Sequence, residues 1–277
     1  MKLATWNVNS LTVRLPQVLD WLAAQADAGD PIDVLALQEL KMTDDKFPVQ
    51  AFSDAGYHAQ WFGQKTYNGV ALLSRQPLTA TVKNLPGLPD EQARVLTATV
   101  PWTRSPSAGG NAEHPEADAG IRVIGAYFPN GQAPGSDKFT YKMQWLQAMH
   151  AWVQQELASH PHLVLMGDFN ITFDDADVWD PDGMREAIHC TTEERQHLQA
   201  LIGLGLHDSV RLFAQPDKNY SWWDYREFAF RRNRGLRIDH ILISDTLKPL
   251  AQACAVDKLP RKNERPSDHA PVVLTLG

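Results

Sequence analysis

Acidic, amide and imidazole side chains follow apolar runs of this 277-residue sequence, at points where strands would end. The run 163–166 leads through Gly167 to Asp168 and Asn170, and Asp268 and His269 stand just before the apolar C-terminal run. Polar side chains at strand ends lie along the edge of a sheet, where a rigid scaffold can hold a reactive site. Oxygen and nitrogen donors without cysteine suit a hard cation, so the pattern predicts a Mg²⁺ site.

Two earlier strand ends repeat the arrangement. Glu39 follows the apolar run 34–37, and Asn7 follows the run 2–6. Glu39 is the strongest candidate for a metal ligand, because a carboxylate directly after a buried strand is otherwise costly. Asn7 offers a neutral oxygen and Asp268 a second carboxylate. Mn²⁺ could replace Mg²⁺ at a site of this composition.

Apolar periodicity alternates between strands and helices along the whole sequence. Helical spacing predicts a helix capped by Ser10 and a long amphipathic helix over 137–158, and Thr191 with Glu194 forms a capping-box pattern. Many strands with few helices predict an α/β fold of two packed sheets with helices on their outer faces. Besides the runs above, strands are expected at 57–62, 69–74, 94–100, 121–128, 236–243 and 271–276.

No composition break divides residues 1–277, so one domain is expected. The Pro-, Ser-, Gly- and acid-rich stretch 101–120 is expected to form a flexible surface loop. No apolar run is long enough to span a bilayer, and Met1-Lys2-Leu3 is not the start of a signal peptide. These features predict a monomeric cytoplasmic protein without a membrane partner, in which Cys190 and Cys254 are free thiols.

The net charge of −7 argues against a nucleic-acid partner, but the positive charges are clustered. Arg226 and Arg237 delimit a segment of twelve residues that contains five arginines and follows the aromatic stretch 222–225. A second basic group, over 258–265, leads directly into Asp268 and His269. Each cluster alone would be a solvated loop, but basic and aromatic side chains beside a site favour phosphate and base contacts.

Seven segments in order carry a resemblance to a known family. They are Thr5-Trp6-Asn7-Val8-Asn9, Leu37-Gln38-Glu39-Leu40-Lys41, Asn68-Gly69-Val70-Ala71-Leu72-Leu73-Ser74-Arg75, Tyr127-Phe128-Pro129-Asn130-Gly131, Gly167-Asp168-Phe169-Asn170, Leu236-Arg237-Ile238-Asp239 and Pro266-Ser267-Asp268-His269-Ala270-Pro271. Together they resemble the exonuclease III family of DNA-repair nucleases, within the endonuclease/exonuclease/phosphatase superfamily. The likeness covers the whole chain except the 101–120 stretch. It implies a four-layered α/β sandwich, in which two packed mixed β-sheets are flanked by helices, and Mg²⁺-dependent phosphodiester cleavage.

The resemblance also implies roles for individual residues. Asn7, Glu39 and Asp268 would surround the metal ion, and Tyr127 and Asn130 would belong to the phosphate site. Trp222, Leu236 and Ile238 would line a small apolar pocket for an extrahelical sugar that has lost its base.

Four residues are candidates for the chemistry of water attack. Asp168 and Asn170 are two apart on a chain leaving a strand, so one can accept a proton while the other orients the water, although this pair is also common in turns. His269 needs a partner that fixes its tautomer, and Asp239 is the candidate. In the family such a pair binds the scissile phosphate and has also been proposed as the base. We assign the base to Asp168 and transition-state stabilisation to Asp239 and His269.

His189 bears on the choice of substrate. Relatives commonly carry a small residue there, and a bulky side chain could narrow the room for continuous DNA while admitting a 3′ end. A surface-loop histidine with no such role is the alternative.

The sequence therefore predicts a Mg²⁺-dependent nuclease acting on double-stranded DNA with an abasic site or a 3′ end, and leaving a 3′ hydroxyl. Alternatives are a phosphatase of the superfamily acting on a non-DNA phosphoester and a DNA-binding protein without catalysis. The balance between abasic endonuclease, 3′ exonuclease and 3′ phosphatase activity stays open, as does the number of metal ions.

Overall fold

Two six-stranded β-sheets face each other in the computed structural model, which describes residues 1–102 and 120–277. Apart from its ends, the predicted 101–120 loop lies outside the described residues. The strands in chain order are β1 (Lys2–Asn7), β2 (Val34–Gln38), β3 (His58–Phe62), β4 (Val70–Ser74), β5 (Thr79–Lys83), β6 (Val95–Val100), β7 (Ile121–Tyr127), β8 (Leu163–Asp168), β9 (Leu206–Asp208), β10 (Asp239–Ser244), β11 (Ala251–Val256) and β12 (Val272–Leu276).

The two sheets have the same mixed character. The first has the order β11-β12-β1-β2-β4-β3 and the second β5-β6-β7-β8-β10-β9. The pairs β1–β2 and β7–β8 are parallel, and the other paired strands run antiparallel. Each sheet thus has one parallel pair whose carboxyl ends lie side by side, and both pairs end in polar residues.

Successive side chains of a strand belong to different apolar layers, and there are three such layers in the described residues. Leu3 on β1 and Met166 on β8 lie in the core between the sheets, whereas Trp6 packs with α1 (Leu11–Asp27) and Leu165 packs with α3 (Asp137–Ser159) and α4 (Thr192–Ile202). Successive strand side chains point to opposite faces, so strands buried on both faces need helices outside. The predicted four-layered α/β sandwich is confirmed.

The helices mostly match the sequence pattern. The long helix begins at Asp137, where the Ser136 side chain accepts from the Phe139 amide, and the capping box of Thr191 and Glu194 is formed. The prediction of a Ser10 side-chain cap is wrong, because Ser10 has φ 87° and its side chain makes no capping hydrogen bond. Its amide instead donates to the carbonyl of Glu39 at 2.8 Å, which ties the β1 end to the Glu39 loop.

One α-helix and three strands of the described residues were not foreseen from the sequence: α2 (Val49–Asp54), β5, β9 and β11. Two of these strands are largely exposed, and β9 has three residues, so apolar periodicity is weak in them. Among the described helices, none is both long enough and apolar enough to cross a membrane.

Candidate active site

The strand ends bring the predicted site residues to one edge of the two sheets. Tyr127 at the end of β7 pairs in register with Asp168 at the end of β8, and Asp168 also pairs with Asp239 at the start of β10. In the other sheet, Asn7 ends β1 and Glu39 follows β2. The site therefore straddles the seam between the sheets.

Two carboxylates and an imidazole converge at this seam. Glu39, Asp168 and His269 each offer an atom that lies within 4.8 Å of the others. The amide nitrogen of Asn7 bridges the carboxylates, donating to Glu39 Oε1 and to Asp168 Oδ2, both at 2.8 Å. Asn7 thus holds together two groups that would repel each other when ionised.

Asp168 is almost completely buried, and its burial raises the pKa of this carboxyl to about 7, against the opposing effect of the charge on His269. Its Oδ1 accepts a hydrogen bond from the main-chain amide of Asn170 at 2.9 Å. Asp168 and Asn170 therefore form the turn that this pair of residue types commonly makes. Asp168 also belongs to the cluster with Glu39 and His269. A carboxylate with a pKa near neutrality is suited to act as a general base.

His269 is held by a buried carboxylate. Burial disfavours its charged form, but the charges of Asp239 and Asp168 raise the pKa of His269 to about 10. Nδ1 donates to Asp239 Oδ2 at 2.8 Å, and Nε2 lies 3.7 Å from Asp168 Oδ2. The imidazolium is thus oriented by Asp239 and presents its Nε2 proton beside Asp168.

Ser221 is a site residue that sequence reasoning missed. Its hydroxyl donates to Asp239 Oδ2 at 2.7 Å and accepts from the amides of Ile238 and Asp239. The other oxygen, Asp239 Oδ1, is buried and has no hydrogen-bond partner among residues 1–102 and 120–277. Nothing in the local sequence marks Ser221 except its position beside Trp222.

The donor set fits a hard divalent cation. The carboxylates of Glu39 and Asp168 offer oxygen atoms that could bind such an ion, whereas a protonated His269 has no free lone pair for a metal ion. Lys41, which sequence reasoning also left without a role, places its ammonium 2.8 Å from Glu39 Oε2, so a positive charge is already accommodated there.

Two predicted metal ligands are oriented differently from the expectation. The Asn7 oxygen accepts from the amide of Asn9, and its nitrogen faces the carboxylates. Asp268 accepts from Asn9 Nδ2 at 2.9 Å and from Trp222 Nε1 at 3.0 Å, and it is not part of the three-residue cluster. The reason is that neighbouring donors, which no strand-end pattern reveals, occupy these oxygens.

Tyr127 enters the site as a neutral phenol. Burial and the nearby charge of Glu39 keep its pKa well above the usual value, so the hydroxyl remains a donor. The guanidinium of Arg94 lies over the ring at 5.1 Å and donates to the Tyr127 carbonyl at 3.3 Å. Arg94 was not predicted, because an arginine just before a strand has no distinguishing local pattern.

His189 is buried beside two predicted site residues, so the surface-loop alternative is wrong. Nδ1 lies 2.7 Å from the carbonyl of Asn170, and Nε2 lies 3.5 Å from Asn130 Nδ2. Burial and the charge of Lys142 lower the pKa of His189 to about 4, so the ring is neutral. The neutral ring donates from Nδ1 and can accept at Nε2 from Asn130, whose amide also donates to Asn170 Oδ1 at 3.3 Å.

Comparison with known proteins agrees with this geometry. Residues 4–269 match the model of the Endonuclease/Exonuclease/phosphatase family. The chain is 34% identical to exodeoxyribonuclease III of Haemophilus influenzae, with 98% of each chain covered. It is 46% identical to the 3′ phosphatase NExo from Neisseria, solved with a product DNA hairpin, with a TM-score of 0.90 over 100% of this chain and 99% of that one.

The chain belongs to the exonuclease III family of DNA-repair nucleases. An AP endonuclease from Archaeoglobus fulgidus is 31% identical, with a TM-score of 0.88 over 100% of this chain and 99% of that one. The predictions of family, fold and a nuclease of the phosphodiesterase type are thereby confirmed. The non-catalytic and non-DNA alternatives are set aside.

In this member of the exonuclease III family, an apolar wall adjoins the His269 ring. Leu236 and Ile238 form a buried cluster with Val178 and Cys190, and the partly buried Trp222 packs against it. The neighbouring Trp223, in contrast, is fully buried. The three residues predicted to line a sugar pocket therefore do lie together.

The two arginines predicted to bind substrate have opposite environments. Arg226 is exposed and pairs with Asp224 at 2.6 Å. Arg237 is 2% exposed, and its guanidinium pairs with Asp177 and Asp208, both at 2.7 Å. The prediction that Arg237 contacts DNA is wrong, because its guanidinium is buried and forms ion pairs with these two aspartates.

Proposed function

We propose that this nuclease processes 3′ ends of duplex DNA with the help of Mg²⁺ held by Glu39, with Mn²⁺ as a substitute. A bound Mg²⁺ supplies positive charge to the non-bridging phosphate oxygens and to the leaving oxygen. The observation that carries the proposal is the convergence of Glu39, Asp168 and His269 at one edge. The carboxylates suit a hard cation, and the imidazolium suits a phosphate.

Asp168 is the proposed base, and His269 the proposed electrophile. Asp168 Oδ2 takes a proton from the attacking water, and the Nε2–H of His269 donates to a phosphoryl oxygen as charge develops there. Asp239 keeps the imidazole protonated and aligned through the 2.8 Å bond to Nδ1. Donors from Tyr127, Asn130 and Asn170 would contact the remaining phosphate oxygens.

We propose indirect roles for Asp268 and Asn7 on the basis of their contacts. Asn7 holds the two carboxylates together, and Asp268 is connected to Glu39 through Asn9 and Lys41. Rotation of the Asn7 amide would present its oxygen to the ion. We propose that Asp268 acts on the ion through this chain of contacts.

The choice of the 3′ end over an internal abasic site rests on two observations. The 46% identical relatives are described as a 3′ phosphatase and as a 3′–5′ exonuclease, while the AP endonuclease is 31% identical. The His189 ring fills space beside Asn130 and Asn170, where a small residue would leave room. Trp222, Leu236 and Ile238 would hold the terminal sugar, and Arg226 would contact a flanking phosphate. The cytoplasmic location and the monomeric state stay predictions.

Cleavage of two end-labelled duplexes tests this function. One carries an internal abasic analogue, the other a recessed or phosphate-blocked 3′ end, and each is incubated with Mg²⁺, with Mn²⁺ and with EDTA. We expect 3′ processing that EDTA abolishes, with little internal incision, and we expect His189→Gly to raise internal incision relative to 3′ processing. Efficient abasic cutting by the parent, or an unchanged ratio in His189→Gly, contradicts the proposed preference. Activity that survives EDTA contradicts the metal.

A further inference from the structure

Lys142 and Glu194 form an ion pair that is sealed from solvent. Both side chains have 0% exposure, and the ammonium contacts Glu194 Oε1 between α3 and α4. Burial lowers the pKa of Lys142, and the Glu194 carboxylate opposes this effect. Replacing a buried ion pair by apolar residues is often neutral for stability, so stability alone does not explain why a charge is kept here.

The contacts of Lys142 point towards the site. Besides Glu194, its ammonium donates to the main-chain carbonyl of Asn170 at 2.8 Å and to that of Asn130 at 3.2 Å. An ammonium group has three N–H donors, and these three acceptors use all of them. Lys142 therefore joins the two loops that carry the amides proposed to contact phosphate.

Glu194 holds the loop that carries His189, next to the loops of Asn130 and Asn170. Its Oε1 also accepts from the amide of His189 at 3.2 Å, and its Oε2 accepts from the Thr191 amide and hydroxyl at 3.1 and 2.8 Å. The His189 ring in turn bonds the carbonyl of Asn170. The ion pair thus connects Asn130, Asn170 and His189, which lie far apart in sequence.

The Asn130 loop is fitted closely to the lysine stem. Gly131 has φ +87°, and a Cβ atom added there would lie 2.9 Å from Lys142 Cδ. A glycine is needed both for this backbone conformation and for the close approach. Changes at Lys142 will therefore be transmitted to the neighbouring Asn130.

We propose that Lys142 and Glu194 are positioning residues that hold the Asn130 and Asn170 amides in register with the scissile phosphate. This inference rests on the proposed function, because it assigns those amides to the phosphate. Displacement of a positioning group by about 1 Å can reduce the rate of the chemical step about 100-fold while substrate binding is maintained.

The test compares neutral replacements of two buried ion pairs, each of which has one member on α3. Lys142→Met/Glu194→Gln removes the charges and the donor, whereas Lys142→Gln/Glu194→Gln removes the charges and keeps a donor. The control is Arg122→Met/Glu156→Gln, because that pair joins β7 to α3 with exposures of 3% and 8%. Arg122 lies near the start of β7, away from Tyr127 at its end. Tm, kcat and KM on the 3′-blocked duplex are measured for each variant.

We expect Lys142→Met/Glu194→Gln to lose about 10- to 100-fold in kcat with a nearly unchanged KM, at a Tm close to that of the control. The kcat of Lys142→Gln/Glu194→Gln should lie between those of Lys142→Met/Glu194→Gln and the parent. The control should keep the parental kcat. Parental kcat in both Lys142/Glu194 variants overturns the inference. If only one of the two Lys142/Glu194 variants folds, its kcat is compared with that of the control. A kcat equal to that of the control overturns the inference.

A second measurement separates this inference from the proposed function. The side-chain amide NMR signals of Asn130 and Asn170 should move in the Lys142 and Glu194 variants and stay in place in the Arg122 and Glu156 control. An inactive parent refutes the proposed function, and the NMR comparison then decides the positioning. Unmoved signals overturn it.

Discussion

Protonation of His189 should destabilise the folded protein. Burial and the nearby charge of Lys142 lower the pKa of this ring from 6.5 to about 4, although the Glu194 carboxylate and the hydrogen bond to the Asn170 carbonyl act in the opposite direction. In the unfolded chain the ring takes up a proton as the pH falls below 6.5, but in the folded chain it does so only near pH 4. The unfolded state binds more protons in this window, and the free energy of unfolding falls as the pH falls.

The size of the effect follows from the pKa difference. At about 1.36 kcal/mol per unit, the interval between 6.5 and about 4 corresponds to about 3 kcal/mol, most of it lost by pH 4.5. His189→Asn removes the titrating ring and keeps a residue that tolerates the left-handed φ of 73°. Asp168, His240 and His269 also titrate with shifted pKa values, but they are present in both proteins and cancel in the comparison.

Urea unfolding at pH 7.0, 6.0, 5.0 and 4.5 measures this difference. The variant should be less stable than the parent at pH 7 and should lose about 2 to 3 kcal/mol less on acidification. His58→Asn, at an exposed position on β3, controls for the loss of a histidine as such. Parallel curves for the parent and His189→Asn would refute the argument that the buried ring is neutral.

Three further substitutions test individual residues. Asp168→Asn should reduce kcat by about 10²- to 10⁴-fold with duplex affinity retained, as measured by single-turnover kinetics and a binding assay. A parental single-turnover rate would show that the base is another residue. Arg237→Met leaves Asp177 and Asp208 without their buried partner and should cost about 3–5 kcal/mol in urea unfolding. A loss of DNA affinity at unchanged stability would instead restore Arg237 as a DNA contact. Arg226→Ala should weaken binding alike for all sequences and lower the slope of log K against log salt by about one, and an unchanged slope in fluorescence anisotropy speaks against that contact.

Strand ends explain why much of the site could be predicted. Asp168, Glu39 and Asn7 follow apolar runs that are buried on both faces, and periodicity reveals where such runs stop. The partnership of His269 with Asp239 was also foreseen, since a histidine next to a terminal strand needs an acceptor. For these residues the chemical type and the position relative to a strand were sufficient.

Only the tertiary structure decided how the polar groups are paired. Arg226 and Arg237 stand in one basic segment, but one is exposed and the other is closed in by two aspartates. Lys142 and Glu194 are 52 positions apart, and neither interrupts its helix pattern. The sequence by itself determined the longer strands and helices and the polar strand ends, because these depend on local periodicity, whereas α2, β5, β9 and β11 have too weak a pattern. The partners of long polar side chains are set by hydrogen bonding and burial among residues distant in sequence, so a local sequence pattern does not predict them.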